Sequence, residues 1–323
     1  MLGAAFACVC RTESQHNVSI IGRSTTRVSA LISLAYVIIT PAKDEANHIE
    51  EVLKSVCAQT IKPHKWVIVN DGSKDNTKEL IESYARKYDW IQVLNVKNSE
   101  EVRAGGQKVV RAFYKGFEQI KNHDYEFVVK LDADLILPNN YFEEISCAFK
   151  NNEKIGLCGG FCLNKRKGQL IKEKSAPYHV RGAFKAYRRQ CFEEIGGIKE
   201  VWNWDGIDEM TAMYLGWETA TLDLPVIHLR PTSQAYNAIN HAFESGKENY
   251  RMRSDLLLIL IRFVTYLGKK PLIISAFSFV FGYLVARLTR ERRYIDVGLG
   301  RFMNRFHLNR VTVALRNGLS INR

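Results

Sequence analysis

Residues 130–134, Lys130-Leu131-Asp132-Ala133-Asp134, follow directly on the largely apolar run Tyr125-Glu126-Phe127-Val128-Val129. A β-branched and aromatic run of this kind reads as a strand. Residues two apart in a strand point the same way. Asp132 and Asp134 are therefore expected to project together from the end of a sheet strand. Two hard oxygen ligands side by side suit Mg²⁺ or Mn²⁺ carrying a diphosphate. Alone, the triplet is a weak signal, because two solvated turn carboxylates would look the same.

Working outward, a second acidic turn lies upstream in Trp66-Val67-Ile68-Val69-Asn70-Asp71-Gly72-Ser73-Lys74-Asp75-Asn76-Thr77. A buried-looking strand breaks here into turn residues, and Ser73 or Asp75 can cap a helix running from Thr77 to Tyr88. A third unit precedes it. The strand Leu34–Thr40 runs into Pro41-Ala42-Lys43-Asp44-Glu45-Ala46-Asn47, then into a helix through Val52 to Ala58. Strand, acidic turn and helix, repeated, is the pattern of a doubly wound α/β sheet, whose ligands bind beyond the carboxyl ends of the strands. All three acidic turns fall at that edge.

With these motifs in this order the chain resembles the family 2 glycosyltransferases of the GT-A fold, over about residues 33–235. Gly105-Gly106-Gln107-Lys108, opening a helix that ends near Gly116, belongs to the same series, as do Pro138-Asn139-Asn140-Tyr141-Phe142 and Gly159-Gly160. So do Tyr187 to Gly197, Asp208-Glu209 and Gly216-Trp217. The resemblance implies an α/β, doubly wound, mixed and mostly parallel sheet with helices on both faces. It further implies a nucleotide-sugar pocket of Pro41, Lys43, Glu45, Asp71, Lys108 and Asp132, in which carboxylates accept hydrogen bonds from the base or ribose. Asn70 stands where the family more often has Asp, which leaves the nucleotide base open. A divalent cation, Mg²⁺ or Mn²⁺, would offset the charge on the departing nucleoside diphosphate. Asp134 is the implied direct ligand, Asp132 bridges ribose and metal, and His228 reaches the metal or the diphosphate. A lone histidine after an apolar strand is more often simply packed or hydrogen-bonded.

The family's general base is a carboxylate opening a helix. Counting back from Gly216 without a gap places Asp205 there, and a gap places Asp208 or Glu209 there instead. Trp204 occupies the place of a usual acidic residue. Either Asp205 or Asp208 could also serve simply as a helix cap, favourable against the helix dipole. A single carboxylate without a partner nucleophile implies one in-line displacement and inversion.

The chain has 323 residues and a net charge of +12, and residues 247–323 hold 15 Lys or Arg against four acids, a net of +11. The same tail carries the apolar runs Leu256–Ile261 and Pro271–Ala286. A helix of sixteen residues is about 24 Å long, against a hydrocarbon core of about 30 Å. The tail therefore reads as a stretched span, a hairpin in one leaflet or a helical pair packed on the catalytic domain, with its cations meeting anionic lipids. No recognition helix or zinc spacing points to nucleic acid. The seven cysteines are odd in number and scattered, which fits reduced thiols in a cytoplasmic compartment. Residues 1–30 read as a disordered leader or a misassigned start, 31–240 as the catalytic domain and 241–323 as a helical, basic, membrane-associating extension.

The sequence thus points to an inverting, metal-dependent hexosyltransferase. It would use a nucleotide-sugar donor, with UDP-sugar preferred, and a glycan or glycolipid acceptor in surface polysaccharide or glycolipid synthesis at the cytoplasmic face of a membrane. The alternatives are a polyprenyl-phosphate sugar transferase and a non-catalytic sugar-nucleotide binding module. A nucleotidyltransferase would show a Gly-rich phosphate loop where Ala42-Lys43-Asp44-Glu45 stands. A processive synthase would carry Gln-x-x-Arg-Trp and several long spans.

Overall fold

A computed structural model describes residues 34–96, 106–166, 168–230, 238–268 and 271–317. The leader reading of residues 1–30 and the position of Gly105 lie outside the described residues.

Three strand–helix units open the fold. β1 (Tyr36–Ala42) leads to α1 (Ile49–Cys57), β2 (Lys65–Asn70) to α2 (Thr77–Ala85) and β3 (Ile91–Asn95) to α3 (Gln107–Phe117), and β4 (Phe127–Leu131) follows. These four strands are parallel and lie in the order β3-β2-β1-β4. Their side chains alternate as the pleat requires. Tyr36, Ile38, Trp66, Ile68, Phe127 and Val129 face one layer, containing α1, α2 and α4 (Tyr141–Asn151). Val37, Ile39, Val67, Val69 and Val128 face the other, containing α3, α5 (Arg189–Glu194) and α6 (Trp204–Tyr214). Burial on both sides explains why these strands read as continuous apolar runs rather than alternating ones. The motif glycine Gly116 allows α3 to lie against the sheet, since a Cβ there would stand 2.7 Å from Ile39 Cγ2 and 2.9 Å from Val69 Cγ2.

The second half completes the sheet with β5 (Leu135–Ile136), β6 (Ile155–Arg166), β7 (Gln169–Lys172), β8 (Phe184–Arg188) and β9 (Glu218–His228). The full order is β3-β2-β1-β4-β8-β6-β9-β5, with β7 paired to β6. β8 is antiparallel to β4 and β6, β5 to β9 and β7 to β6, whereas β9 is parallel to β6. The sheet is mixed as expected, with most of its parallel pairing in the N-terminal half.

Four helices follow: α7 (Ala238–Arg251), α8 (Leu256–Leu267), α9 (Leu272–Leu288) and α10 (Val297–Arg316). α9 meets α7 at two glycines. A Cβ on Gly246 would fall 1.9 Å from the Phe279 carbonyl oxygen, and one on Gly282 2.0 Å from that of Phe243. Ala242, Tyr250, Tyr266, Phe279, Tyr283 and Ala286 fill the resulting core. α10 instead packs on α6, through Leu299 and Met303 against Ile207 and Met210. Among the described residues no helix is long and apolar enough to cross a membrane. The spanning alternative for Pro271–Ala286 is therefore not met: α9 has 17 residues, about 25 Å of helix against about 30 Å of hydrocarbon.

Candidate active site at the carboxyl edge of the sheet

The first two acidic turns are laced together. The Lys74 amide donates to Asp44 Oδ1 (2.7 Å), the Asp44 amide to Ser73 Oγ (3.1 Å), the Ala46 amide to Asp75 Oδ2 (3.0 Å) and the Glu45 amide to Thr77 Oγ1 (2.7 Å). Asp75 also accepts from the Thr77 amide at the start of α2, as its position in the sequence suggested. The Asp71 amide donates to the Ala42 carbonyl (2.9 Å), so Asp71 sits buried beside the end of β1. Asn70 donates to Asn95 Oδ1 and accepts from the Ser73 amide, holding the second turn onto β3. Pro41 is in β1, Lys43 and Glu45 are on the turn after it, and Lys108 is in the first turn of α3.

The third turn departs from the expectation that Asp132 and Asp134 project together from a strand. β4 ends at Leu131, so the strand parity does not extend through both carboxylates. Asp132 turns back onto the buried Lys130 ammonium. Asp134 faces His228, with Nε2 to Oδ1 at 3.4 Å, and Arg230, at 3.9 Å. The pairing of Leu135 with His228 across β5 and β9 makes this meeting possible. Burial alone would lower the His228 imidazole, but hydrogen bonds to Asp134 and Cys162 outweigh it and push the ring up to about 10. Arg230 also grips the buried Glu45, with Nη2 to Oε2 at 2.6 Å. Sequence reasoning missed this arginine. Its spacing of two residues from His228 was the available signal.

Among the described residues no three His, Cys, Asp or Glu side chains converge as a ready-made metal cage. The donor set nevertheless fits a hard divalent cation. Neighbouring ligands on an octahedral ion of this size lie about 3 Å apart, close to the observed Asp134–His228 separation of 3.4 Å. As a metal ligand His228 would be the neutral imidazole, its proton released on binding.

The candidate bases separate clearly. Asp208 and Glu209 are both buried. Lys185 Nζ, itself buried, donates to Asp208 Oδ1 (3.0 Å) and Glu209 Oε1 (3.0 Å), and the Tyr187 hydroxyl donates to Asp208. Glu209 also accepts from the Val180 amide (2.8 Å) and meets His179 Nδ1 (2.9 Å). Burial pushes the Asp208 carboxyl up, against the pull of Lys185. These two carboxylates tie α6 to β8 and to the loop before it. Asp205 lies in the first turn of α6 and is half-buried.

Asp205 is also close to the D-x-D turn. The Asp132 amide donates to the Ala183 carbonyl (2.7 Å), and a Cβ on the adjacent Gly182 would stand 2.8 Å from Asp205 Cβ and 2.6 Å from the Trp204 ring. Trp204, the residue in place of an expected acid, lies beneath two buried ammonium groups, Lys130 at 5.1 Å and Lys185 at 5.8 Å from its ring centroid. Gly106, at the start of α3, packs against Trp202 just before Asp205. A neighbouring cavity of about 290 Å³ is lined in part by Cys162, Lys172, His179, Arg181 and Asp223.

A parallel β3-β2-β1-β4 half sheet, completed by antiparallel strands and bearing an acidic site at its carboxyl edge, defines a GT-A nucleotide-sugar transferase fold. The family model described as glycosyl transferase family 2 matches residues 37–200, half of the chain, and the chain belongs to that family. A poly-β-1,6-N-acetyl-D-glucosamine synthase of Staphylococcus epidermidis is 24% identical over 202 residues, 57% of this chain and 45% of that protein. The synthase of the same name from Staphylococcus aureus is 32% identical over 128 residues, 40% of this chain and 28% of that protein. The chain thus spans less than half the length of these curated relatives. Among solved structures, mannosyltransferase PcManGT from Pyrobaculum calidifontis, in complex with GDP-Man and Mn²⁺, is 17% identical with a TM-score of 0.47, covering 88% of this chain and 81% of that one. S. aureus TarS 1–349 in complex with UDP-GlcNAc is 15% identical with a TM-score of 0.49, covering 82% and 77%.

Proposed function

We propose that this chain moves a sugar, with inversion, from a nucleoside-diphosphate donor, UDP-linked by preference, to a hydroxyl of a glycan or glycolipid acceptor in cell-surface polysaccharide or glycolipid synthesis. The reaction would take place at the cytoplasmic face of a membrane. The observation that supports the reading is that Gly182-Ala183 bridges the two motifs, Ala183 accepting from the Asp132 amide and Gly182 lying against Asp205, while Asp134 of the same D-x-D turn faces His228. Family membership and relatives that make a polysaccharide support the reaction class.

In this reading Pro41, Lys43, Glu45, Asp71 and Lys108 hold the nucleotide, and Asp132 binds the ribose. Asp134, His228 and Asp132 hold Mg²⁺ or Mn²⁺. The cation supplies Lewis-acid neutralisation of the leaving diphosphate. Asp205 accepts the proton of the acceptor hydroxyl as its oxygen bonds to the anomeric carbon and the bond from that carbon to the diphosphate oxygen breaks. Such a base contributes about 10²–10⁴ in rate. Asp208, the other base candidate, serves instead to hold α6 in place through Lys185 and Tyr187.

A second reading, transfer to a polyprenyl phosphate, is favoured by the exposed apolar side chains of α8 and α9. A phosphate acceptor needs no strong base. Binding and hydrolysis of UDP-, GDP- and TDP-sugars with and without Mn²⁺, in the wild type and in Asp134→Ala, test the main reading. Metal-dependent release of one nucleoside diphosphate, lost in the variant, supports it. Absence of binding to every donor by folded protein removes it. Asp205→Asn then separates the acceptors, since it should be severe with a hydroxyl and mild with a phosphate.

A further inference from the structure

α8 and α9 are built on one repeated pattern. The exposed large apolar residues of α8 are Leu256, Leu257, Leu260, Val264 and Leu267, and those of α9 are Ile273, Ile274, Phe277, Phe281, Leu284 and Leu288. The spacings i, i+1, i+4, i+8 and i+11 recur in both helices, and each set forms one stripe at helical period. The opposite faces are used internally, Ile259 and Tyr266 of α8 packing with Ala276, Phe279 and Tyr283 of α9. The two stripes join where the Phe263 and Phe277 rings meet at 5.5 Å, and Phe281 extends the surface to Phe243 of α7 at 5.8 Å. Eleven large apolar side chains left open on two adjacent helices exceed the scattered exposure normal for a protein surface.

Charge identifies the occupant. α8, α9 and α10 contain arginines and no Asp or Glu. Arg287, Arg290, Arg292, Arg301, Arg305 and Arg316 are exposed. A second copy of the chain would bring the same excess of cations in its C-terminal helices and repel. An anionic bilayer complements them, with acyl chains meeting the stripes and headgroups meeting the arginines. Neither helix is long enough to cross.

We propose that the paired stripes of α8 and α9 form a monotopic docking surface, lying in the plane of one leaflet and held by exposed arginines to anionic headgroups. This rests on the membrane placement in the function proposed above, not on its transfer chemistry. Docking in the plane would hold the catalytic domain at the surface through the α10–α6 contact, without a transmembrane segment in the described residues.

The test is flotation of the full chain with vesicles of phosphatidylcholine alone or mixed equally with phosphatidylglycerol, alongside light scattering and UDP binding without lipid. The wild type should float with the mixed vesicles, less well with neutral ones and less well in high salt. Leu260→Asp and Phe277→Asp should each lower partitioning by about tenfold or more, with circular dichroism and UDP binding unchanged. In Phe281→Trp, emission should shift to the blue on mixed vesicles and be quenched by lipids brominated near the headgroup end of the chain. Failure to float with either vesicle overturns the proposal. So does a dimer in solution that the two aspartate variants dissociate without changing flotation. UDP binding is scored separately, so loss of donor binding by a chain that still floats counts against the transferase reading alone.

Discussion

Arg230 grips Glu45 across 185 residues of chain, Nη2 to Oε2 at 2.6 Å, while its other terminal nitrogen stands 3.9 Å from Asp134. One arginine therefore connects the first acidic turn to the D-x-D turn. Arg230→Ala leaves Glu45 buried without its guanidinium. The cost of removing this partner of a buried carboxylate is reduced because Arg230 is 31% exposed, and a loss of about 2 kcal/mol is expected in urea unfolding. The donor KM should rise together with this loss. Unchanged stability would show that the Arg230 contact contributes nothing to holding Glu45.

Asp205 and Asp208 differ in environment, so their variants should differ in kind. Asp205→Asn should lower kcat on a hydroxyl acceptor by about 10²–10⁴ and leave the melting temperature near that of the wild type. Asp208→Asn should move stability more than the chemical step, because Asp208 faces Lys185 and Tyr187 in the core. Equal losses of kcat from both would remove the distinction.

Two carboxylates share the Lys185 ammonium, and burial is the largest influence on Asp208, pushing it from 3.8 up to about 7. The folded state then holds this proton more tightly than the unfolded chain. Stability should fall as pH rises from about 4 to about 7 and level off above that. The urea midpoint is expected to be lower at pH 8 than at pH 5, and Asp208→Asn should shrink the difference. Lys185→Met, which removes the one ammonium that both carboxylates share while leaving Tyr187 on Asp208 and the Val180 amide on Glu209, should cost about 3–5 kcal/mol at pH 8 and less at pH 5.

The α7–α9 crossing has no room for a side chain at Gly246 or Gly282. Gly282→Ala should push against the Phe243 carbonyl and destabilise by about 1–3 kcal/mol. This contact lies among the C-terminal helices, so UDP binding should survive in protein that remains folded. Calorimetry and UDP titration of one sample check both parts.

Chelation should abolish sugar transfer, and Mn²⁺ should restore it. In His228→Ala the Mn²⁺ needed for half-maximal rate should rise, because Asp134 loses the imidazole at 3.4 Å. An unchanged metal requirement would place His228 outside the metal site.

The wound half of the fold was legible in the chain because burial on both sheet faces leaves a local record. Trp66 to Val69 and Phe127 to Val129 are apolar without interruption, and Asn70-Asp71-Gly72-Ser73 marks the turn where β2 ends. The later antiparallel strands were less legible. β8 carries a buried lysine, Lys185, between Phe184 and Ala186, and only partners distant in sequence make that residue tolerable there.

The order of acidic turns and the basic and apolar tail were legible in the sequence alone, through periodicity and turn chemistry that act over a few residues, whereas Asp134, Asp205 and His228 were singled out by the family resemblance. Tertiary structure alone decided that Asp132 and Asp134 take different partners, that Asp208 is locked to Lys185 and that Arg230 reaches Glu45. It also decided which faces of α8 and α9 remain open. These outcomes depend on desolvation and on contacts between elements far apart in the chain. Local sequence supplies the side chains, but only packing determines which charges lose water and which meet.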